Sequence, residues 1–186
     1  DAGKTVVSAG LLAAANLKGL SSMGLKQIAA GCEQTDEGLR NSDALILQNT
    51  ASIKLPYEQV NPITFEPPIA PHIAAIHEKR MLSADRVAAL CKGALMQPAD
   101  FAVVEGAGGW FVPLNDSETI ADYVIAESFE VILVVGLKLG CINHALLTQQ
   151  AIKTAGLKLV GWVANHIDPQ MLEQQANIES LKSRLD

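Results

Sequence analysis

Cysteine is scarce in this chain. Cys32, Cys91 and Cys141 lie far apart among 186 residues, with no CxxC and no Cys/His ligand spacing. That pattern argues against a disulfide framework and against a zinc site, and leaves reduced thiols of a cytoplasmic protein as the expectation. Long apolar runs are also missing. The longest, around Val131–Val135, falls far short of the ~18–20 residues a membrane span needs, but has the length of a buried strand. No block of Lys or Arg offsets an acidic balance of 14 basic against 20 acidic residues, a formal net charge of −6, so a nucleic-acid backbone makes a poor main partner. No secretory signal is visible.

With 49% hydrophobic and 18% charged residues, the chain is neither a disordered tail nor a coiled coil. Its length predicts one domain over residues 1–186. It opens Asp1-Ala2-Gly3-Lys4-Thr5, without Met and without the strand that ordinarily precedes a Gly-Lys-Thr triplet. It closes on a helical pattern at Arg184-Leu185-Asp186. The expectation is that roughly 10 residues of strand and loop precede Asp1, and that at least one strand or loop follows Asp186.

Residues 5–18 are Ala/Leu-rich at helical spacing, with Gly19 as a stop. Residues 22–28 read as a short strand, 30–40 as a polar loop, and Ser42 to Gln48 as a helix starting on a polar cap. Five prolines between residues 56 and 71 predict an irregular ordered loop or lid rather than helix. Among them, the apolar Ile63, Phe65 and Ile69 argue against a free linker. A helix is predicted from Ser83 to Met96, a strand over residues 100–105, a glycine turn at 106–109 and a helix near 118–127. Residues 130–136 predict a strand buried on both faces, 142–155 a helix, 157–164 a strand and 169–184 a helix. Strands alternating with helices imply an α/β fold, a parallel sheet covered by helices on both faces.

In such a sheet, ligands bind where strands end. The polar residues that fall there are the Gly3-Lys4-Thr5 triplet, Lys26, Glu105, Lys138 and Asn165. Gly3-Lys4-Thr5 opening a helix is the tail of a phosphate-binding loop. Its N–H groups attract phosphate oxygens, its lysine brings a point charge and its threonine hydroxyl can ligate Mg²⁺. The first glycine of that motif would stand five residues before Gly3. Glu105 closes an apolar strand and is either an ordinary strand-end acid or a magnesium ligand, and the glycines after it let a ligand approach the backbone. Asp43 is either a first-turn acid favoured by the helix dipole or part of a site. Asn165 is either a turn former or an amide that reads an adenine edge. His72, His77, His144 and His166 share no ligand spacing and read as surface groups or neighbours of a site. Trp110 and Phe111 read as core or, alternatively, as the wall of a site.

Four stretches carry a resemblance. They are residues 37–45 (EGLRNSDAL), 104–110 (VEGAGGW), 134–144 (VVGLKLGCINH) and 161–165 (GWVAN). Through them the chain resembles the dethiobiotin synthetase family over essentially its whole length. The resemblance implies a P-loop NTPase-like fold, a homodimer, and ATP and Mg²⁺ as cofactors. It also implies a reaction in which ATP and CO2 convert 7,8-diaminononanoate into dethiobiotin, through a carbamate and a carbamic-phosphoric anhydride. By position it implies Lys4 and Lys26 as catalytic residues. Gly3, Lys4, Thr5, Glu105, Gly108 and Asn165 would bind the nucleotide. Thr5, Asp43 and Glu105 would bind Mg²⁺. Lys26, Ala30, Gly140, Cys141, Ile142 and Asn143 would bind substrate, the last four reaching the substrate carboxylate of the neighbouring subunit.

The chain departs from the family pattern in three places. Only the end of the Gly-Thr-Asp-Thr-x-Val-Gly-Lys-Thr loop is present, with Asp1 at x and Ala2 for Val. Gln27 replaces a usual Pro and Ala30 a usual Ser or Thr, so one hydroxyl is lost from the diamine side. A C-terminal Pro-x-Leu-Gly segment would lie beyond Asp186. Two related readings stay open at this point, an amide-forming ATPase of cobalamin synthesis and a dimeric ATPase switch. Asn41-Ser42-Asp43 and the 139–143 segment stand against both. A degraded, non-catalytic binding protein is a third, opposed by the intact Lys4, Thr5, Asp43 and Glu105.

Overall fold

A computed structural model describes residues 2–185. Asp1, read above as position x of the phosphate loop, and Asp186 lie outside the described residues. The chain forms two compact units, one of residues 8–126 and one of residues 1–7 with 127–186. Helix α1 (Lys4–Leu17) runs through the join, so its first turn is counted with one unit and the rest with the other.

In the larger unit, α1 buries Ser8, Leu12 and Ala15, spaced so that they share one helical face. It stops at Gly19, whose φ of 75° only glycine adopts freely. Strand β1 (Ser22–Leu25) is buried along its whole length. Leu12 and Leu47 close over Gly24, where a Cβ would come within 2.9 Å of Leu12 and 3.1 Å of Leu47. Fully burying these two leucines contributes about 1.5–3 kcal/mol each.

The strand expected over residues 22–28 is split in two. At Lys26 the backbone N–H turns to Val60 O (2.8 Å), and a second strand, β2 (Ile28–Ala30), then forms. Residues 30–40 are not a plain loop. They hold a hairpin of β3 (Glu33–Thr35) and β4 (Gly38–Arg40), antiparallel, with Thr35 Oγ1 donating to Gly38 O at 2.7 Å. Helix α2 (Ser42–Thr50) follows as expected, but its cap is Asn41.

The proline-rich stretch also departs from expectation. It folds into α3 (Tyr57–Val60), β5 (Ile63–Phe65) and the start of α4 (Pro71–His77). Three of its five prolines, Pro56, Pro62 and Pro71, stand where elements begin. Pro56 is the residue before α3, and Pro71 takes the first turn of α4, where a missing N–H costs nothing. Helix α5 (Ala84–Leu95) is capped by Ser83 through Arg86 N at 3.1 Å. Strand β6 (Phe101–Val104) and helix α6 (Ile120–Ala126) complete the unit. β1 pairs parallel with β6, Ser22 opposite Phe101 through Leu25 opposite Val104. β2 pairs parallel with β5. Phe111 is 65% exposed rather than core, and Trp110 is half-buried.

The smaller unit is a strand–helix–strand–helix layer of β7 (Val131–Gly136), α7 (Cys141–Thr154), β8 (Leu159–Asn165) and α8 (Gln174–Lys182). The two strands are parallel, and Ile132 through Gly136 face Gly161 through Asn165. Because side chains alternate along a strand, Leu133, Val135, Trp162 and Ala164 share one face. Cys141, Ala145, Leu146, Ile178 and Leu181 pack against that face. β7 was expected to be buried on both faces. Only Val135 and Gly136 are buried within it, and Ile132 is 38% exposed, since α7 and α8 cover the face that carries Leu133 and Val135.

Candidate active site

The parallel register of β1 and β6 brings two site residues together. Leu25 is opposite Val104, so the next residues, Lys26 and Glu105, emerge side by side at the carboxyl ends of neighbouring strands. Glu105 N donates to Leu25 O at 2.8 Å and continues the ladder one step beyond the strand. Lys26 Nζ then donates to Glu105 Oε1 at 2.6 Å and to Asp43 Oδ2 at 3.1 Å. The Lys26 side chain is 7% exposed, that of Glu105 2% and that of Asp43 39%. One buried cation therefore serves two carboxylates. Removing one partner of such a buried pair ordinarily costs about 3–5 kcal/mol, because an uncompensated charge stays in a low-dielectric setting.

Asp43 reaches this point from the first turn of α2. Asn41 Oδ1 accepts from Asp43 N (3.1 Å) and Ala44 N (3.3 Å), which fixes the helix start and hence where the Asp43 carboxylate projects. Sequence reasoning found Lys26, Asp43 and Glu105 but missed what supports them. Asn61 Nδ2 donates to Lys26 O at 2.6 Å and to Ile63 O at 3.3 Å. Tyr57 OH donates to Asn61 Oδ1 at 3.0 Å and accepts from Asn41 N at 2.7 Å. Burial pushes the Tyr57 phenol above its ordinary value, so it remains a neutral donor. Leaving any of these buried groups unpaired costs about 1–3 kcal/mol. The visible signal was Tyr57 and Asn61 at i, i+4 spacing, which one helical turn brings together.

After Glu105, Gly108 adopts φ 72°, and a Cβ there would press on Val112 at 2.6 Å. Ala30 ends β2, half-buried and without a hydroxyl. Gln27, between β1 and β2, is 1% exposed, and its Oε1 has no hydrogen-bond partner among the described residues.

The other site residues belong to the smaller unit. Gly3 has φ 81°, and any Cβ on it would overlap the Asn165 side-chain amide. Asn165 Nδ2 donates to Ala2 O at 2.9 Å, so Asn165 anchors the chain just before Lys4 opens α1. Lys4 and Thr5 sit in the first turn of α1, both half-buried. Gly136 admits Ala2, whose Cα would be 3.0 Å from a Cβ at 136. A cavity of about 180 Å³ opens beside Ala2, Gly136, Lys138 and His144.

At the start of α7, Gly140 has φ 93° and makes no side-chain cap. Cys141 is buried and Ile142 packs on the same core, while Asn143 is exposed. Of these four residues, Asn143 alone offers a polar side chain to a ligand, while the Cys141 N–H already donates to Lys138 O at 3.0 Å. Among the described residues no group of three or more His, Cys, Asp or Glu gathers as a metal centre, and no helix is long and apolar enough to cross a membrane. All three cysteines are free and buried.

Comparison with known proteins gives a consistent result. The model of a family described as an AAA domain matches residues 1–185. A protein of Cellvibrio japonicus is 60% identical over 185 residues, covering 100% of this chain and 81% of its own length; it is named ATP-dependent dethiobiotin synthetase BioD. One of Marinobacter nauticus with the same name is 49% identical over 98% of this chain and 79% of its own length. One of Escherichia coli K12, named ATP-dependent dethiobiotin synthetase BioD 1, is 54% identical over 91% of this chain and 75% of its own length.

Proposed function

Since this chain belongs to the ATP-dependent dethiobiotin synthetase family, we propose that it uses ATP and CO2 to close the ureido ring of dethiobiotin on 7,8-diaminononanoate. It would do so as a ligase of biotin biosynthesis, with residues 1–186 as a single P-loop ATPase-like domain. The observation that carries the reading is the buried Lys26 held between Asp43 and Glu105 at the carboxyl ends of parallel strands.

One amine of the diamine adds to CO2 and loses a proton, giving a carbamate. A carbamate oxygen attacks the γ-phosphorus and ADP leaves, forming the carbamic-phosphoric anhydride. The second amine attacks the anhydride carbonyl and expels phosphate, closing the ring. Carbamate and γ-phosphate are both anions, so their approach needs fixed positive charge. Lys26 supplies it beside the reacting carbamate and Lys4 beside the phosphates. Gly3, Thr5 and Gly108 present backbone to the nucleotide, and Asn165 addresses adenine with the amide that anchors Ala2.

The donor set fits Mg²⁺. Oxygens of Asp43 and Glu105 converge on one cationic point and are the hard donors that ion prefers; the Thr5 hydroxyl would be a further oxygen donor of the same kind. When bound, Mg²⁺ neutralises phosphate charge.

On the substrate side, Ala30 lines the diamine without donating a hydrogen bond. Gly140, Cys141, Ile142 and Asn143 bind the substrate carboxylate at the start of α7, where the helix dipole favours an anion. In a homodimer that carboxylate belongs to the substrate of the neighbouring subunit. The enzyme is cytoplasmic, and it requires neither nucleic acid nor membrane.

The test is phosphate release by the full-length protein with ATP, Mg²⁺ and bicarbonate. Release is expected only when 7,8-diaminononanoate is added. Equal release without the diamine would sink the synthetase reading in favour of a switch ATPase.

A further inference from the structure

The hydrogen bonds around Lys26 form a closed ring. Lys26 Nζ donates to Asp43 Oδ2, Asp43 N to Asn41 Oδ1, Asn41 N to Tyr57 OH, Tyr57 OH to Asn61 Oδ1, and Asn61 Nδ2 to Lys26 O. Each member bonds to the next, and the last returns to the residue that began it. Lys26, Asn41, Tyr57 and Asn61 are all at least nine-tenths buried.

The ring fixes its own orientations. Asn61 faces two carbonyl acceptors on one side and a hydroxyl donor on the other, so its amide has one satisfied orientation. The phenolic oxygen of Tyr57 accepts the Asn41 N–H and is left one proton to donate, which goes to Asn61. Lys26 is thus held at both ends by the same short segment. Asn61 and Val60 hold its backbone, and Tyr57 acts through the Asn41 cap on the carboxylate that receives its ammonium.

Packing alone does not demand this arrangement. A phenylalanine at position 57 would bury the same ring and keep the Arg40 guanidinium stacked 4.2 Å from its centroid. The hydroxyl adds only the link between the helix cap that aims Asp43 and the loop that holds Lys26.

We propose that Tyr57 and Asn61 are positioning residues for the synthetase reaction, closing a buried ring that aims the Lys26 ammonium and the Asp43 carboxylate at one point. This rests on Lys26 being catalytic, and the experiment separates the two claims.

In the full-length protein, Tyr57→Phe should lower kcat about 10-fold, the size of effect seen when outer-shell partners are lost, with KM for ATP little changed. On a Lys26→Ala background the same change should have almost no further effect, because a residue that acts through Lys26 has nothing left to position. A second readout needs no turnover. Lysines are labelled briefly with acetic anhydride, and peptide mass spectrometry gives the labelling of Lys26 relative to exposed Lys158. The ratio should rise several-fold in Tyr57→Phe. It should stay at the wild-type value in Val87→Ala, a buried helix position outside the ring that reports general loosening. Asn61→Ala serves the same purpose if Tyr57→Phe does not fold.

An unchanged labelling ratio, an equal rise in Val87→Ala, or losses that multiply with Lys26→Ala would each overturn the positioning role. A raised ratio in a protein without diamine-dependent turnover would uphold the ring and overturn the proposed reaction.

Discussion

The strand pair β1 and β6 carries a polar clasp at each end, and the two are built on opposite principles. At the amino end, Ser21 N and Oγ both donate to Asp100 Oδ2, at 2.8 and 2.7 Å, and Asp100 N returns a bond to Ser21 Oγ at 3.0 Å. This clasp lies in solvent, so it has one charge and needs no counter-ion. The Ser21 hydroxyl, then its N–H, hold the Asp100 carboxyl below the usual carboxylate range. At the carboxyl end, the buried Lys26 and Glu105 pair directly, and Lys26 also reaches the half-exposed Asp43. The first clasp keeps two strands in register where water can replace every bond. The second places a charge pair, Lys26 and Glu105, where water cannot replace it, the kind of setting in which functional groups are often found.

Changes at the two ends should therefore separate activity from stability. The largest effect belongs to Lys26→Ala. It should reduce turnover by roughly 10³-fold with ATP binding largely intact, checked by single-turnover phosphate release beside nucleotide titration. It should also cost about 3–5 kcal/mol in urea unfolding, since the buried Lys26–Glu105 ion pair is broken. Unchanged turnover would remove the catalytic role.

Next in size, adding Glu105→Gln to Lys26→Ala should restore most of that stability while turnover stays lost. If the double variant were as unstable as the single one, charge imbalance would not be the cause.

The smallest effect is at the amino end. Asp100→Asn should leave turnover unchanged and lower Tm slightly at neutral pH. Because the folded carboxyl is depressed, its contribution is present above the ordinary carboxylate value and is lost as pH falls through the folded one. The Tm gap between wild type and variant should therefore close in acid. A gap independent of pH would mean that packing, and not the hydrogen-bonded charge, accounts for the loss.

These contrasts show what was legible in the sequence. Lys26 and Glu105 could be found because a parallel sheet puts its chemistry after its strands, and both strands are apolar enough to see. For Asp43 the residues alone left a first-turn acid as an equal reading, and only the family resemblance singled it out as a site residue. The β3–β4 hairpin was not legible. β3 is exposed at every residue, so no alternation of apolar and polar positions marks it. The stretch from 56 to 71 misled because prolines were read as excluding regular structure, whereas Pro56, Pro62 and Pro71 stand where elements begin. Asn61 and Asn41 escaped because their partners include backbone atoms, which every residue has and no sequence pattern advertises. Cys141 and Ile142 were read as ligand contacts from their place in a motif, yet their side chains serve the core of the smaller unit, which leaves Asn143 and the helix start to meet a ligand.

The triad also limits the order in which the chain can change over generations. If Lys26 has the proposed role, a lineage that loses it first passes through a protein that is both inactive and unstable. One that first exchanges Glu105 for an uncharged residue keeps Lys26 beside the half-exposed Asp43, and the loss of Lys26 then costs little in folding. Descendants that have abandoned the reaction should therefore more often retain the lysine without the glutamate than the glutamate without the lysine.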